Sequence, residues 1–196
     1  MRPRVYLIRH GETEWSLSGR HTGRTDLPLT AGGEARARLL APRLRAIRFA
    51  RVLTSPRRRA RQTCEQAGLG ASAEVEPDLA EWDYGDYEGL RTAEIQQTRP
   101  EWDIYRDGCP HGETPAAIAA RADRLIARLR ALSGNVALFS HGHFGRVFAA
   151  RWIGLPIDDA RHFLIGTAAL GILEFEHDDI ASPVIALWND GPGAAT

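Results

Sequence analysis

The chain has 196 residues, enough to bury a sizeable core within one domain. Its 25 basic and 25 acidic residues cancel, so no global field favours nucleic acid or a membrane surface, and any preference for anions must be local. Every basic residue is arginine, which excludes a lysine Schiff base, a pyridoxal anchor and the lysine of a phosphate-binding P-loop.

Val5 to Ile8 is an uninterrupted apolar run, the pattern of a strand buried on both faces of a parallel sheet, and Arg9, His10 and Gly11 follow at its carboxyl end, where open α/β sheets place ligands. Trp15 to Thr30 carries Gly19, Gly23 and Pro28 without periodicity and reads as loop. Thr30 caps a helix with Ala35, Leu39, Leu40, Leu44 and Ile47 at helical spacing, and Pro42 should kink it. Val52 to Thr54 reads as a second strand, with Ser55 as N-cap, Pro56 as the first helical residue, and Ala60, Thr63, Cys64 and Ala67 as a packing face that Gly68 ends. Arg57, Arg58, Arg59 and Arg61 crowd the first turns of this helix. One of them can turn inward, and spacing does not say which.

Glu74 to Pro77 is expected to form a third strand. Leu79 to Gly89 is acidic and aromatic, and it reads either as an aromatic wall whose desolvation can make a carboxyl group a proton donor or as a packed loop with surface acids. Short helices over Thr92 to Arg99 and Glu101 to Tyr105, broken at Pro100, belong to an insertion of about residues 81–113 that can lie over a site as a small lid. Cys64 and Cys109 match no metal or redox spacing and are expected to be free thiols. With only four apolar residues between the Met-Arg-Pro-Arg start and Arg9, no signal peptide or membrane span is expected, so the reading is cytoplasmic. Thr114 and Pro115 open a helix with Ile118, Ala122, Leu125, Ile126, Leu129 and Leu132 on one face. The strand Val136 to Phe139 then runs into Ser140-His141-Gly142-His143 and a helix stopped by Gly154 and Pro156. Leu170 to Phe175 and Val184 to Trp188 close the chain as two strands, and the tail from Gly191 is expected to fray.

The strand-His-Gly unit occurs twice. If the two strands are parallel neighbours, His10 and His141 meet over one pocket. Three rival readings accompany this one: a metal site on His141-Gly142-His143, a nucleic-acid contact on Ser55 to Arg61, and a binding module without catalysis.

Arg9-His10-Gly11-Glu12-Thr13 resembles the signature of the histidine phosphatase superfamily, also called phosphoglycerate-mutase-like. Four further blocks match in order: Gly23 to Thr30, Thr54 to Ala60, Glu81 to Gly89, and Ser140 to His143. The resemblance implies a single domain over residues 1–196, a three-layer α/β/α sandwich around a mostly parallel sheet. It implies a phosphatase acting on a small-molecule phosphate ester with no cofactor and no metal, and leaves monomer and homodimer both open. His10 becomes the nucleophile, Arg9, Arg59 and His141 the phosphoryl clamp, and Glu81 the proton donor and acceptor; Ser16, Thr22, Tyr84, Gly142 and Arg146 line the substrate pocket. The alternative within the family is a cofactor-dependent phosphoglycerate mutase. The short segment between Glu81 and His141, and Ser16 where the mutases carry asparagine, favour hydrolysis. Mutase-like acid phosphatases and sedoheptulose-1,7-bisphosphatases are the similar subgroups, which points to a sugar phosphate or bisphosphate.

Overall fold

The computed structural model describes residues 2–191. In chain order its elements are β1 (Arg4–Arg9), α1 (Glu14–Ser18), α2 (Ala31–Arg38), α3 (Ala41–Leu44), β2 (Phe49–Thr54), α4 (Arg58–Gln66) and β3 (Ala73–Val75). There follow α5 (Thr92–Thr98), α6 (Ile104–Asp107), α7 (Pro115–Arg130), β4 (Asn135–Ser140), α8 (Gly142–Trp152), β5 (Leu170–Phe175) and β6 (Pro183–Asp190). The strands form one sheet in the order β3-β2-β4-β1-β5-β6. Strands β1 to β4 run parallel, and β5 and β6 add an antiparallel edge.

Alternation along β1 splits the core in two. Val5 and Leu7 face a layer built by α7 and α8, whose Ile118, Leu125, Phe144 and Phe148 are buried there. Tyr6 and Ile8 face Leu40, Leu44, Cys64 and Ala67 from the α2 to α4 side. Helices therefore cover both faces of the sheet, the expected α/β/α sandwich. Trp82, Tyr84, Trp102, Ile104 and Tyr105 are all buried in the first cluster, so the 81–113 segment is packed into the core.

Thr30 and Thr114 cap their helices as expected, each side chain accepting from a backbone N–H three residues on. Strand β2 begins three residues earlier than expected, and β3 covers Ala73–Val75 rather than Glu74 to Pro77 because a tight turn starts at Pro77. Other boundaries differ as well. Residues 14–18 form a short helix rather than loop, started by a capping box between Thr13 and Ser16 and ended at Gly19 in the left-handed region. The helix after Thr30 breaks into two at Leu39–Leu40, with Pro42 in the first turn of the second piece. Ser55 is not the N-cap of α4: its N–H donates to the Phe139 carbonyl, which carries the extended strand backbone one residue further, and Arg57 caps instead. In the insertion, α6 starts three residues later than expected because Asp103 caps it and Trp102 is buried ahead of it. Residues 192–196 of the expected fraying tail lie outside the described residues.

Candidate active site

Strands β1 and β4 are parallel neighbours, with Arg9 opposite Ser140. The residues immediately after them therefore meet, and the His10 and His141 rings lie 5.2 Å apart between centroids. His10 Nδ1 is 2.7 Å from the Gly11 carbonyl oxygen, which can only accept. Nδ1 therefore carries the proton in the neutral ring, and Nε2 keeps its lone pair. Burial, then the charges of Arg59 and Arg9, hold this imidazole well below its usual pKa.

Helix α4 delivers Arg59 from its first turn. Thr63, one turn on, accepts from the Gly11 N–H at 2.9 Å and donates to the Arg59 carbonyl at 2.7 Å, which ties the helix to the Arg9-His10-Gly11 turn. The guanidinium of Arg59 is fully buried and donates to the carbonyls of Thr25, Thr22 and Gly23. Arg9 donates to the Ile165 carbonyl at 2.6 Å. Burial lowers the pKa of both arginines, yet guanidiniums remain charged at any physiological pH. His141 Nε2 lies 2.7 Å from Ser55 Oγ, which itself accepts from the Arg57 N–H. Nε2 of His141 is thus engaged with Ser55, and Nδ1 is the ring nitrogen left without a partner. Three nitrogens beside His10 are buried without a hydrogen-bond partner: Arg9 Nε, Arg59 Nε and His141 Nδ1. Unsatisfied buried polar nitrogens are costly and rare, and two of these three belong to guanidiniums, which makes this turn the candidate place for an anion.

Glu81 enters from the segment after the short turn at residues 77–79. Its Oε1 accepts from the N–H groups of Trp82 and Phe144 at 2.9 and 2.8 Å, and Oε2 accepts from His143 N–H at 3.0 Å. His143 and Phe144 belong to the first turn of α8, whose N-cap His141 supplies no side-chain bond, so the Glu81 carboxylate caps that helix from outside. Oε2, with a single N–H, retains the freer lone pair.

A cavity of about 290 Å³ opens over His10. Every residue expected at the site lines it except Arg59 and His141, which are fully buried. The Ser16 hydroxyl is engaged with Thr13, and that of Thr22 with the Arg20 carbonyl. Tyr84 Oη meets His143 Nδ1 at 2.6 Å. The Arg146 guanidinium lies over the Tyr105 ring and donates to the carbonyls of Ala160 and Arg161. A Cβ on Gly142 would stand 3.4 Å from the Arg9 guanidinium carbon. Arg20, His21, Thr92, His143, Leu164 and Ile165 also line the cavity and were not expected there as substrate contacts. His141 and His143 turn to different partners, Ser55 and Tyr84, so the His-Gly-His spacing does not make a chelate.

A model of the histidine phosphatase superfamily, branch 1, matches residues 5–191. The chain belongs to this superfamily. An acid phosphatase of Mycobacterium tuberculosis is 45% identical over 178 residues, which cover 89% of this chain and 87% of that protein. The sedoheptulose 1,7-bisphosphatase of Saccharomyces cerevisiae is 35% identical over 249 residues, covering 94% and 92%. Among solved structures, an open reading frame of M. tuberculosis superposes with a TM-score of 0.90 at 41% identity, over 97% of this chain and 98% of the other. This histidine phosphatase is an enzyme that hydrolyses phosphate esters, and its described residues contain no helix long and apolar enough to cross a membrane.

Proposed function

We propose that this histidine phosphatase hydrolyses the phosphate monoester of a small sugar or sugar bisphosphate through a phosphohistidine on His10. The observation that carries the reading is the set of unpartnered buried nitrogens of Arg9, Arg59 and His141 around a neutral His10 whose Nε2 lone pair is free. Phosphoryl transfer requires positioning and fixed positive charge more than covalent help. In the first step Nε2 forms the N–P bond as the P–O ester bond breaks, and protonated Glu81 gives its proton to the departing alkoxide. In the second, ionised Glu81 takes a proton from water, the water oxygen bonds to phosphorus, the N–P bond breaks, and inorganic phosphate leaves. Arg9, Arg59 and His141 hold the phosphoryl oxygens throughout.

Ser16, Thr22, Tyr84, Gly142 and Arg146 shape the remainder of the cavity, whose volume lies at the lower end for small-molecule sites. Residues 81–113 contribute Glu81, Tyr84 and Thr92 to its wall. The arginines of the 57–61 run do not form one exposed face, because Arg59 is buried, which favours a small ester over nucleic acid. The buried free thiols Cys64 and Cys109 suit a cytoplasmic setting. Rapid quenching during turnover of labelled p-nitrophenyl phosphate should trap an acid-labile, base-stable phosphoenzyme that His10→Ala lacks. Turnover without such an adduct, or a fully active His10→Ala, overturns the reading. Net conversion of 3-phosphoglycerate to its 2-isomer in the presence of 2,3-bisphosphoglycerate would instead establish the mutase alternative.

A further inference from the structure

We infer that His21 and His143 form a hydroxyl-reading subsite in this cavity, so that the enzyme selects phosphate esters of polyhydroxylated alcohols over esters of bare alkyl alcohols. The inference rests on the phosphatase reading above and adds which side chains read the alcohol.

Each of the two imidazoles has one nitrogen engaged. His21 Nε2 lies 3.3 Å from Thr92 Oγ1, and His143 Nδ1 lies 2.6 Å from Tyr84 Oη. Among the described residues the opposite nitrogens, His21 Nδ1 and His143 Nε2, meet no hydrogen-bond partner. Yet neither is sealed away, in contrast to the buried orphan nitrogens of Arg9, Arg59 and His141. Both side chains line the cavity, and these nitrogens are the polar atoms they have left to offer a ligand there.

The rings are held before any ligand arrives. His21 stacks on Tyr84 with centroids 4.7 Å apart and meets the edge of Trp102 at 5.7 Å. His143 sits 5.8 Å from Tyr105 and 5.7 Å from His21. Ring packing on several sides leaves little rotamer freedom to lose on binding. Burial, opposed in part by Glu88, pulls the His21 pKa to about 4. Burial with His21, Arg146 and Arg9 lowers that of His143. Both rings are therefore neutral near pH 7 and offer donor or acceptor nitrogens without charge. Burial also raises the Tyr84 phenol pKa, so its hydroxyl stays protonated and uncharged beside His143 Nδ1, and Nε2 of His143 is the nitrogen left for a ligand hydroxyl, which can both donate and accept. Hydroxyl groups on the alcohol half of the ester match such a wall. A second phosphate placed against it would meet uncharged rings, and an alkyl chain would leave the nitrogens without partners.

The test compares kcat/KM for glycerol 1-phosphate with that for n-propyl phosphate, two esters of the same carbon count that differ in hydroxyls. The wild-type enzyme should favour the glycerol ester by about tenfold or more. His21→Phe and His143→Phe, which keep the ring contacts, should each pull that ratio down by about fivefold, and His143→Gln should retain part of it because an amide can still donate. Damage to the fold lowers both rates and leaves the ratio in place. A wild-type enzyme with no preference overturns the inference without reference to any variant, and so does a preference that survives both phenylalanine substitutions. Absence of turnover for either ester and for p-nitrophenyl phosphate counts instead against the phosphatase reading itself.

Discussion

At the scale of single residues, a histidine nucleophile works only if its charge state is settled before the substrate arrives. His10 meets that condition twice: the Gly11 carbonyl fixes which nitrogen carries the proton, and burial with Arg59 and Arg9 keeps the ring from taking a second one. The folded pKa lies below the ordinary 6.5, so the neutral, reactive form persists as pH falls through that value. For p-nitrophenyl phosphate, whose leaving group needs little protonation, kcat/KM should stay level from about pH 7.5 to about pH 6. An acid limb with an apparent pKa at the free-imidazole value would contradict this environment. The same residue shows what the sequence can disclose: an apolar strand that runs straight into His-Gly, twice, puts each imidazole at a strand's carboxyl end, and only the parallel pairing of β1 with β4 had to come from the structure. Arg59 was not separable by spacing from Arg57, Arg58 and Arg61. What selects it is tertiary, namely Thr63 binding the Gly11 N–H and the carbonyls of Thr22, Gly23 and Thr25 receiving the guanidinium. His21 and His143 were less legible still, because their role depends on Tyr84 and Thr92 reaching them across 59 and 71 residues of chain.

At the scale of elements, two contacts position the catalytic groups without touching substrate. Helix α2 carries two glycines near its start, a cost in helix propensity that close packing explains. A Cβ on Gly33 would stand 2.2 Å from the Glu12 carbonyl oxygen, and one on Gly11 2.7 Å from the Gly33 carbonyl oxygen. The helix thus rests directly against the backbone of the His10 turn. Gly33→Ala should destabilise the protein by about 3 kcal/mol in urea unfolding, with loss of turnover in what remains folded; a change within experimental error would show that α2 can draw back at no cost. The second contact is Arg121 of α7. Its guanidinium donates to the carbonyls of Asp78, Ala80 and Glu81, pairs with Glu113, and lies 4.7 Å from the Phe144 ring centroid. The segment from Asp78 to Glu81, the Glu113 carboxylate and the Phe144 ring are thereby tied to one side chain. Arg121→Gln should lower kcat for alkyl phosphates by about tenfold or more while changing it less for p-nitrophenyl phosphate, because only the former need an accurately placed proton donor. Equal losses on both esters would assign Arg121 to stability alone. The capping threonines, the α7 face and the closing strand pair were readable as local patterns. The short α1 was not, since it buries none of its five residues and leaves no periodicity to detect.

At the scale of the whole molecule, the site makes the fold sensitive to acid. His10, His21, His141 and His143 are neutral in the folded state, each with its pKa lowered chiefly by burial. In the unfolded chain the same four rings titrate near 6.5, so below that pH the unfolded state binds more protons. Stability contributed by their exclusion from protonation is complete above about pH 6.5 and is lost as pH falls towards the folded values, which for His21 is about 4. Each fully excluded imidazole costs about 1.4 kcal/mol per pH unit in that window. Asp78 and Asp107 also have lowered pKa values, Asp107 to about 2, but their contribution is present above the ordinary carboxylate range and disappears only below it. The two effects therefore occupy separate pH intervals. Unfolding free energy measured in urea should drop by on the order of 3 kcal/mol or more between about pH 7 and about pH 5.5, before any of these carboxylates titrates. His21→Phe, which removes one of the four titrating rings and keeps its stack on Tyr84, should show a shallower fall over the same interval. A stability that is flat across it would mean that the site opens to water and lets its imidazoles charge in the folded protein, and then the neutral nucleophile, the uncharged hydroxyl-reading wall and the level pH profile would fail together, since all three depend on the same exclusion of protons.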